Sequence, residues 1–93
     1  MISKHQEFII KQVINPYNPN LIGVFGSFAR NENNTDSDLD LLVDLNSDVN
    51  LLDLIGIEQE LESQLGIKVD LVTLRSVKPE LKKYIEKDLI ELA

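Results

Sequence analysis

The sequence predicts an α/β (α+β) fold, in which a single small mixed β-sheet has helices packed on it in the order α-β-β-α-β-α. Three apolar runs that are too short for helices predict the strands, and they are residues 21–25, 39–43 and 67–74. Around these runs, apolar residues recur at the three- and four-residue spacing of amphipathic helices. The length of 93 residues fits one modest core, so residues 1–93 are interpreted as a single domain.

Each predicted helix has sequence signals at its ends. The first, residues 3–14, opens on a capping-box pattern and ends before a proline. The second, residues 51–65, is followed by Gly66, a common C-terminal stop. The acids between its apolar positions are interpreted as its solvated side: Glu58, Glu60 and Glu62. The third helix begins at Pro79 and carries an apolar stripe whose spacing fits either core or interface: Leu81, Ile85, Leu89 and Leu92.

The charge and the composition exclude several classes of protein. The net charge is −7, with 16 acidic and 9 basic residues, which argues against direct nucleic-acid binding because that affinity rests on Lys and Arg. The chain has no cysteine, hence no disulfide and no cysteine-based zinc site. No apolar run approaches the ~20 residues of a membrane span, and no signal-peptide pattern opens the chain. We therefore expect a cytoplasmic protein that does not bind membranes.

The strand order brings polar residues from three segments together. The second and third strands are joined through a helix, which predicts a parallel pair whose starting ends share one edge of the sheet. Asp38 and Asp40 begin the second strand, and Asp70 lies near the start of the third. The first two strands are most simply antiparallel, which places Gly26 and Ser27 beside the start of the second strand.

These residue types together predict a metal–phosphate site. Side chains alternate along a strand, so Asp38 and Asp40 share one face, and Asp70 on that face would complete a cluster of three carboxylates. Such a cluster raises its own pKa values unless a cation neutralises it. Oxygen-only ligands favour Mg²⁺ or Mn²⁺. Gly26 lets backbone N–H groups approach a phosphate, and Ser27 adds a hydroxyl. The expected chemistry is phosphoryl or nucleotidyl transfer.

Plainer interpretations of these residues stay open. Asp38 and Asp40 also fit a solvated strand start, Asp70 an ordinary strand acid, and Arg30 either a phosphate contact or a surface charge. A calcium loop starting at Asp36 is excluded. The position that requires glycine holds Leu41, and the closing glutamate position holds Ser47.

At these positions the chain resembles the nucleotidyltransferase superfamily of DNA polymerase β, and in particular its minimal nucleotidyltransferase branch. The matching elements are the Gly26-Ser27 pair, ten intervening residues, Asp38-Leu39-Asp40, and a third carboxylate at Asp70. The ordered set is more specific than any one of its members. The resemblance covers residues 21–90.

The resemblance implies roles for the individual residues. Mg²⁺, as two ions, would be bound by Asp38, Asp40 and Asp70, and Asp70 would also help to activate the attacking hydroxyl. The nucleoside triphosphate, usually ATP, would be held by Gly26 and Ser27, with Arg30 on a phosphate. Asn31 stands where relatives often carry glycine, and asparagine tolerates the same left-handed turn.

The resemblance also implies a biological role. Many members of this branch are antitoxins that form a hetero-oligomer with a HEPN-domain ribonuclease toxin. They silence it by transferring AMP from ATP to a toxin tyrosine. The alternative is a catalytically idle module that neutralises its partner by binding alone. The clustered carboxylates favour the enzyme, because docking does not need them.

Overall fold

The computed structural model describes residues 2–92, and these form a four-stranded mixed sheet with three α-helices. The order of the strands across the sheet is β3-β2-β1-β4. The elements are α1 (Lys4–Ile14), β1 (Pro19–Phe25), β2 (Leu39–Leu45), α2 (Leu51–Leu65), β3 (Val69–Thr73), α3 (Pro79–Asp88) and β4 (Ile90–Glu91). No helix in the described range is long and apolar enough to cross a membrane.

The predicted strand directions are confirmed. β1 pairs antiparallel with β2, and β2 pairs parallel with β3 through the crossover helix α2. The predicted capping box of α1 is also present, since Ser3 and Gln6 exchange side-chain-to-backbone hydrogen bonds of 3.1 and 2.8 Å. Asn50 and Asp53 form an equivalent box at the start of α2. Gly66 ends α2 in the left-handed conformation, with φ +71°.

One face of the sheet carries the main core. Alternate residues of β2 point into it, and their strand partners on β1 and β3 share that face because paired residues project to the same side. These inward residues are Leu39, Leu41 and Val43, with Ile22, Val24 and Val69 beside them. Side chains of α1 and α2 complete the core: Ile9, Ile10, Ile14, Ile57 and Leu61. The polar positions of the strand starts are therefore left on the opposite face.

The prediction for the end of the chain is wrong in one respect. The third helix ends at Asp88, so Leu89 and Leu92 do not extend its stripe. Instead Ile90 and Glu91 form β4, which pairs antiparallel with β1. The backbone N–H of Leu92 donates to the carbonyl of Ile22 at 2.7 Å. The outer side of β1 offers unpaired backbone groups, and pairing with them overrides the helical spacing of the side chains.

Two strand boundaries also differ from the prediction. β1 begins at Pro19, two residues before the apolar run 21–25 that predicts the strand. Pro19 pairs with Leu45, and the side chains of Asn20 and Asn46 exchange hydrogen bonds of 2.7 Å. These cross-strand contacts extend the pairing beyond the apolar run that predicts the strand. β3 is shorter than expected because residues 74–76 turn into a 3₁₀ helix.

The interpretation of the α2 acids as a solvated side is wrong for two of them. β3 lies at the edge of the sheet, with backbone N–H groups directed away from β2. The carboxylate of Glu62 accepts a hydrogen bond from the N–H of Val69 at 2.9 Å, and that of Glu58 accepts from Leu71 at 2.8 Å. The helix thus supplies acceptors to the edge strand and covers it against pairing with another chain.

Replacing both Glu58 and Glu62 by alanine should destabilise the protein by about 1–2 kcal/mol for each hydrogen bond removed. The edge of β3 would also become available for strand pairing, so we expect concentration-dependent association. Urea unfolding and sedimentation measure the two effects. The matched control is Glu60→Ala, because Glu60 accepts from Gln64 on the exposed side of the helix. Equal stability of the double variant and this control would contradict the assignment.

Candidate active site

The strand register places two of the three predicted acidic residues, Asp40 and Asp70, side by side; together with Asp38, which directly precedes β2, they are called the acidic row. Asp40 of β2 pairs with Phe25 at the end of β1 on one side and with Asp70 of β3 on the other. The N–H of Leu39 donates to the carbonyl of Lys68 at 2.8 Å, which fixes the two parallel strand starts side by side. The predicted meeting of Asp40 and Asp70 at one edge and on one face is therefore present.

Gly26 brings the end of β1 against the Asp40 carboxylate. Its φ is +75°, a conformation that side chains other than that of glycine rarely adopt. A Cβ at this position would overlap Oδ2 of Asp40. The glycine is thus required both by the backbone conformation and by the carboxylate packed on it. The phosphate-binding role of the Gly26-Ser27 turn stays a prediction.

A single helical turn follows Gly26. The N–H of Arg30 donates to the carbonyl of Gly26 at 3.1 Å, and that of Glu32 donates to the carbonyl of Ser27 at 2.9 Å. Phe28 is buried and anchors the turn in the core. Asn31 ends it at φ 59°, the left-handed conformation expected of an asparagine standing in for glycine. Ser27 is thereby held at the start of a fixed turn beside the acidic row.

Electrostatic coupling joins the three carboxylates. Partial burial raises the pKa of Asp40, and the negative charges of Asp70 and then Asp38 raise it further, whereas the positive charge of Arg30 lowers it. Asp40 and Asp38 are half-buried, and Asp70 is exposed. The predicted repulsion among clustered acids is therefore present at Asp40, and a bound cation would relieve it.

The donor set fits a hard divalent cation without forming a finished coordination shell. Among residues 2–92, no three Asp, Glu, His or Cys side chains converge closely enough to ligate one ion. Asp40 and Asp70 are nonetheless strand partners, and Asp38 lies two residues from Asp40. Carboxylate oxygens without nitrogen or sulfur donors suit Mg²⁺. The structure thus places Asp40 and Asp70 side by side, and the metal role of the three carboxylates stays a prediction.

Arg30 has partners that the sequence does not indicate. Its Nη1 donates to Oδ2 of Asp88 at 2.7 Å, and its Nε donates to Oε2 of Glu32 at 3.1 Å. These hydrogen bonds raise the pKa of Arg30, so the group stays positively charged. The contact with Asp88 ties the turn to the end of α3. No local pattern reveals it, because 58 residues separate the two side chains.

Asp44 lies at the far end of β2 from the acidic row. Its carboxylate lies 3.8 Å from Nε of Arg75 and accepts a hydrogen bond from Asn20 at 3.3 Å. A cavity of about 170 Å³ adjoins it, but that cavity contains none of the three predicted carboxylates. Asp44 is therefore a structural residue that resembles the site acids only in its position on the strand.

Asp40→Asn should stabilise the metal-free protein at neutral pH. The folded pKa of Asp40 is raised, so its unfavourable contribution is full above that pKa and fades as pH falls towards the ordinary value of 3.8. Solvent screening limits the gain to about 1 kcal/mol. Urea unfolding of both proteins in EDTA across this pH range measures it. A gain that grows with acidification would contradict the assigned repulsion.

Known proteins are similar to this chain over the segments that form the candidate site. The nucleotidyltransferase domain family matches residues 7–92, which include the turn, the three carboxylates and α3. The protein MJ1217 of Methanocaldococcus jannaschii is 42% identical over 91 residues, which are 97% of this chain and 89% of that protein. The chain belongs to the nucleotidyltransferase domain family.

This nucleotidyltransferase is also similar to a protein of known activity class and to a chain in a solved complex. The protein adenylyltransferase MntA of Thermococcus cleftensis is 44% identical over 69 residues, which are 74% of this chain and 70% of that protein. A crystal structure of a toxin–antitoxin complex with AMP-PNP contains a chain of the same fold. That chain has a TM-score of 0.85 and 27% identity, and the match covers 94% of this nucleotidyltransferase and 72% of that chain.

Proposed function

We propose that this nucleotidyltransferase is an antitoxin that transfers AMP from ATP to a tyrosine of a HEPN-class ribonuclease toxin. The observation that carries the proposal is the register, which sets Asp40 beside Asp70 and against Gly26 on one face of the sheet. Docking alone would not need acids in this arrangement, since they raise the pKa of Asp40. The kinship with MntA supports adenylyl transfer to protein.

The residues of the site have two separate binding roles. Gly26 and Ser27 hold the triphosphate through backbone N–H groups and a hydroxyl at the fixed turn. Asp38, Asp40 and Asp70 hold Mg²⁺, as two ions. A metal bound there would supply positive charge against the negative charge that develops on the reacting phosphate.

Asp70 and Arg30 have the remaining roles. Asp70 is the exposed carboxylate of the row, so it is accessible to an incoming hydroxyl and accepts its proton. The Arg30 side chain is 44% exposed and supplies positive charge near Asp40. In reaching a phosphate it would leave Asp88 or Glu32, which hold it in this structure.

The proposal is tested by incubating the protein with its HEPN partner, Mg²⁺ and ATP labelled at the α-phosphate. We expect the label on the partner, and no label when EDTA replaces Mg²⁺. Absence of label while the two proteins still co-purify would overturn the enzyme in favour of a module that acts by docking. Loss of both the label and the complex would overturn the antitoxin role.

A further inference from the structure

The site residues lie in a fixed order across the strands of the sheet. Gly26 follows β1, Asp40 lies on the central strand β2, and Asp70 lies on the edge strand β3. Under the proposed function, on which this inference rests, the triphosphate lies at Gly26 and Ser27. The departing pyrophosphate therefore lies on the β1 side. An in-line displacement needs the attacking group opposite the leaving group, so the acceptor enters from the β3 side.

A cavity of about 440 Å³ opens on that side. Asp70 is the acidic residue of its lining, and Lys78 is the basic one. Most of the remaining lining is apolar and comes from β3, from the segment before α3, and from α3 itself: Val72, Val77, Leu81 and Tyr84. Leu81 is 52% exposed and Tyr84 is 74% exposed, so large apolar groups are left in solvent beside the carboxylate row.

A second cavity, of about 450 Å³, shares Tyr84 with the first in its lining. It is lined by Gly26 and Arg30, together with Lys87 and Asp88, so its lining carries more charged groups. Tyr84, Ile85 and Phe25 line both cavities and stand between them. The charged cavity adjoins the phosphate turn, and the apolar cavity adjoins Asp70.

We propose that the apolar cavity beside Asp70 binds the acceptor, and that it selects the phenol side chain of a protein tyrosine. A phenol fills an apolar cavity with its ring and places one hydroxyl at the single carboxylate. A serine or threonine hydroxyl would leave the apolar walls exposed to water and gain little from them. The specificity-determining residues are Val72, Val77 and Leu81.

The phenol oxygen forms a bond to the α-phosphorus of ATP, and the bond from that phosphorus to the oxygen bridging to the β-phosphate breaks. Pyrophosphate leaves towards Gly26 and Ser27. The phenol proton passes to the carboxylate of Asp70, which lines the cavity. The products are an O-adenylyl tyrosine and pyrophosphate.

The first test follows binding without any turnover. N-acetyl-tyrosinamide is titrated into the ¹⁵N-labelled protein with Mg²⁺ and AMP-PNP present, and N-acetyl-serinamide is titrated in parallel. We expect the tyrosine probe to shift the amides of residues 70–81, and the serine probe to shift them at least tenfold less at equal concentration. No shift, equal shifts with both probes, or shifts confined to residues 26–31 would overturn the proposal.

The second test uses matched leucine variants. Leu81→Gln should lower kcat/KM for the HEPN partner by about tenfold, since lost apolar contact in a specificity pocket has effects of this size. The affinity for AMP-PNP should stay within twofold of the parent. Leu52→Gln is the control, because Leu52 is 77% exposed on α2, away from the cavity lining. It should behave as the parent in both measurements.

The outcomes separate this inference from the proposed function. If Leu81→Gln lowers AMP-PNP affinity as much as transfer, the cavity holds the nucleobase and the proposal is wrong. If it leaves transfer at the parent's value, the cavity does not contact the acceptor, and the proposal is also wrong. If the parent transfers no AMP at all, the proposed function fails, and the phenol titration still decides whether the cavity selects an aromatic alcohol.

Discussion

Asp38→Ala combined with Asp40→Ala should abolish AMP transfer, with a loss of at least about 100-fold. Replacing groups that only support metal ligands already costs about 10–100-fold, and here two of the proposed ligands are removed. The fold should stand, because the substitution relieves the charge repulsion and burial that raise the pKa of Asp40. Transfer from α-labelled ATP measures the loss, and circular dichroism with urea unfolding measures the fold.

The matched control for this double variant is Asp44→Ala. Asp44 is an aspartate on the same strand and the same face as Asp40, but its contacts are with Asn20 and Arg75 at the far end. We expect transfer within about threefold of the parent, because nothing at the acidic row changes. Full activity of the double variant, or equal losses in both proteins, would show that the site is misplaced.

Gly26→Ala should reduce transfer by about 100-fold and destabilise the protein by about 1–3 kcal/mol. The destabilisation comes from forcing a side chain into φ +75°. The loss of transfer comes from the new Cβ, which would displace the Asp40 carboxylate packed on this glycine. A displacement of about 1 Å in a reacting site costs on the order of 100-fold in rate. Urea unfolding and the labelled transfer assay measure the two effects separately.

Gly66→Ala isolates the strain from the clash. Gly66 has φ +71°, close to that of Gly26, but no heavy atom lies within 4 Å of the position that its Cβ would take. We expect a comparable loss of stability and unchanged transfer. If Gly66→Ala lost transfer as well, the effect at Gly26 would reflect stability alone. If Gly26→Ala kept full activity, the turn would not position Asp40.

The sequence predicts much of the site because its geometry follows from strand order. A helix between two apolar runs implies a parallel pair, and this places Asp40 beside Asp70 at one edge before any coordinate is known. The turn after β1 is equally predictable, since Gly26 and Asn31 are residue types that favour the left-handed conformations found there. The metal and nucleotide roles of these residues stay predictions.

The features that the sequence does not predict depend on contacts between distant segments. The end of α3 follows helical spacing, yet Ile90 and Glu91 pair with β1 because that strand has a free side. Glu58 and Glu62 resemble solvated helix positions, and only the neighbouring edge strand makes them hydrogen-bond acceptors. The Arg30–Asp88 contact likewise has no local signal.

The most direct test of the central claim compares two positions of the label in ATP. The protein, Mg²⁺ and the HEPN partner are incubated with ATP labelled at the α-phosphate or, in parallel, at the γ-phosphate. Nucleotidyl transfer at the Gly26–Asp40–Asp70 site predicts that the α-label appears on the partner and the γ-label leaves as pyrophosphate. Appearance of the γ-label on the partner, or of neither label, would contradict the account.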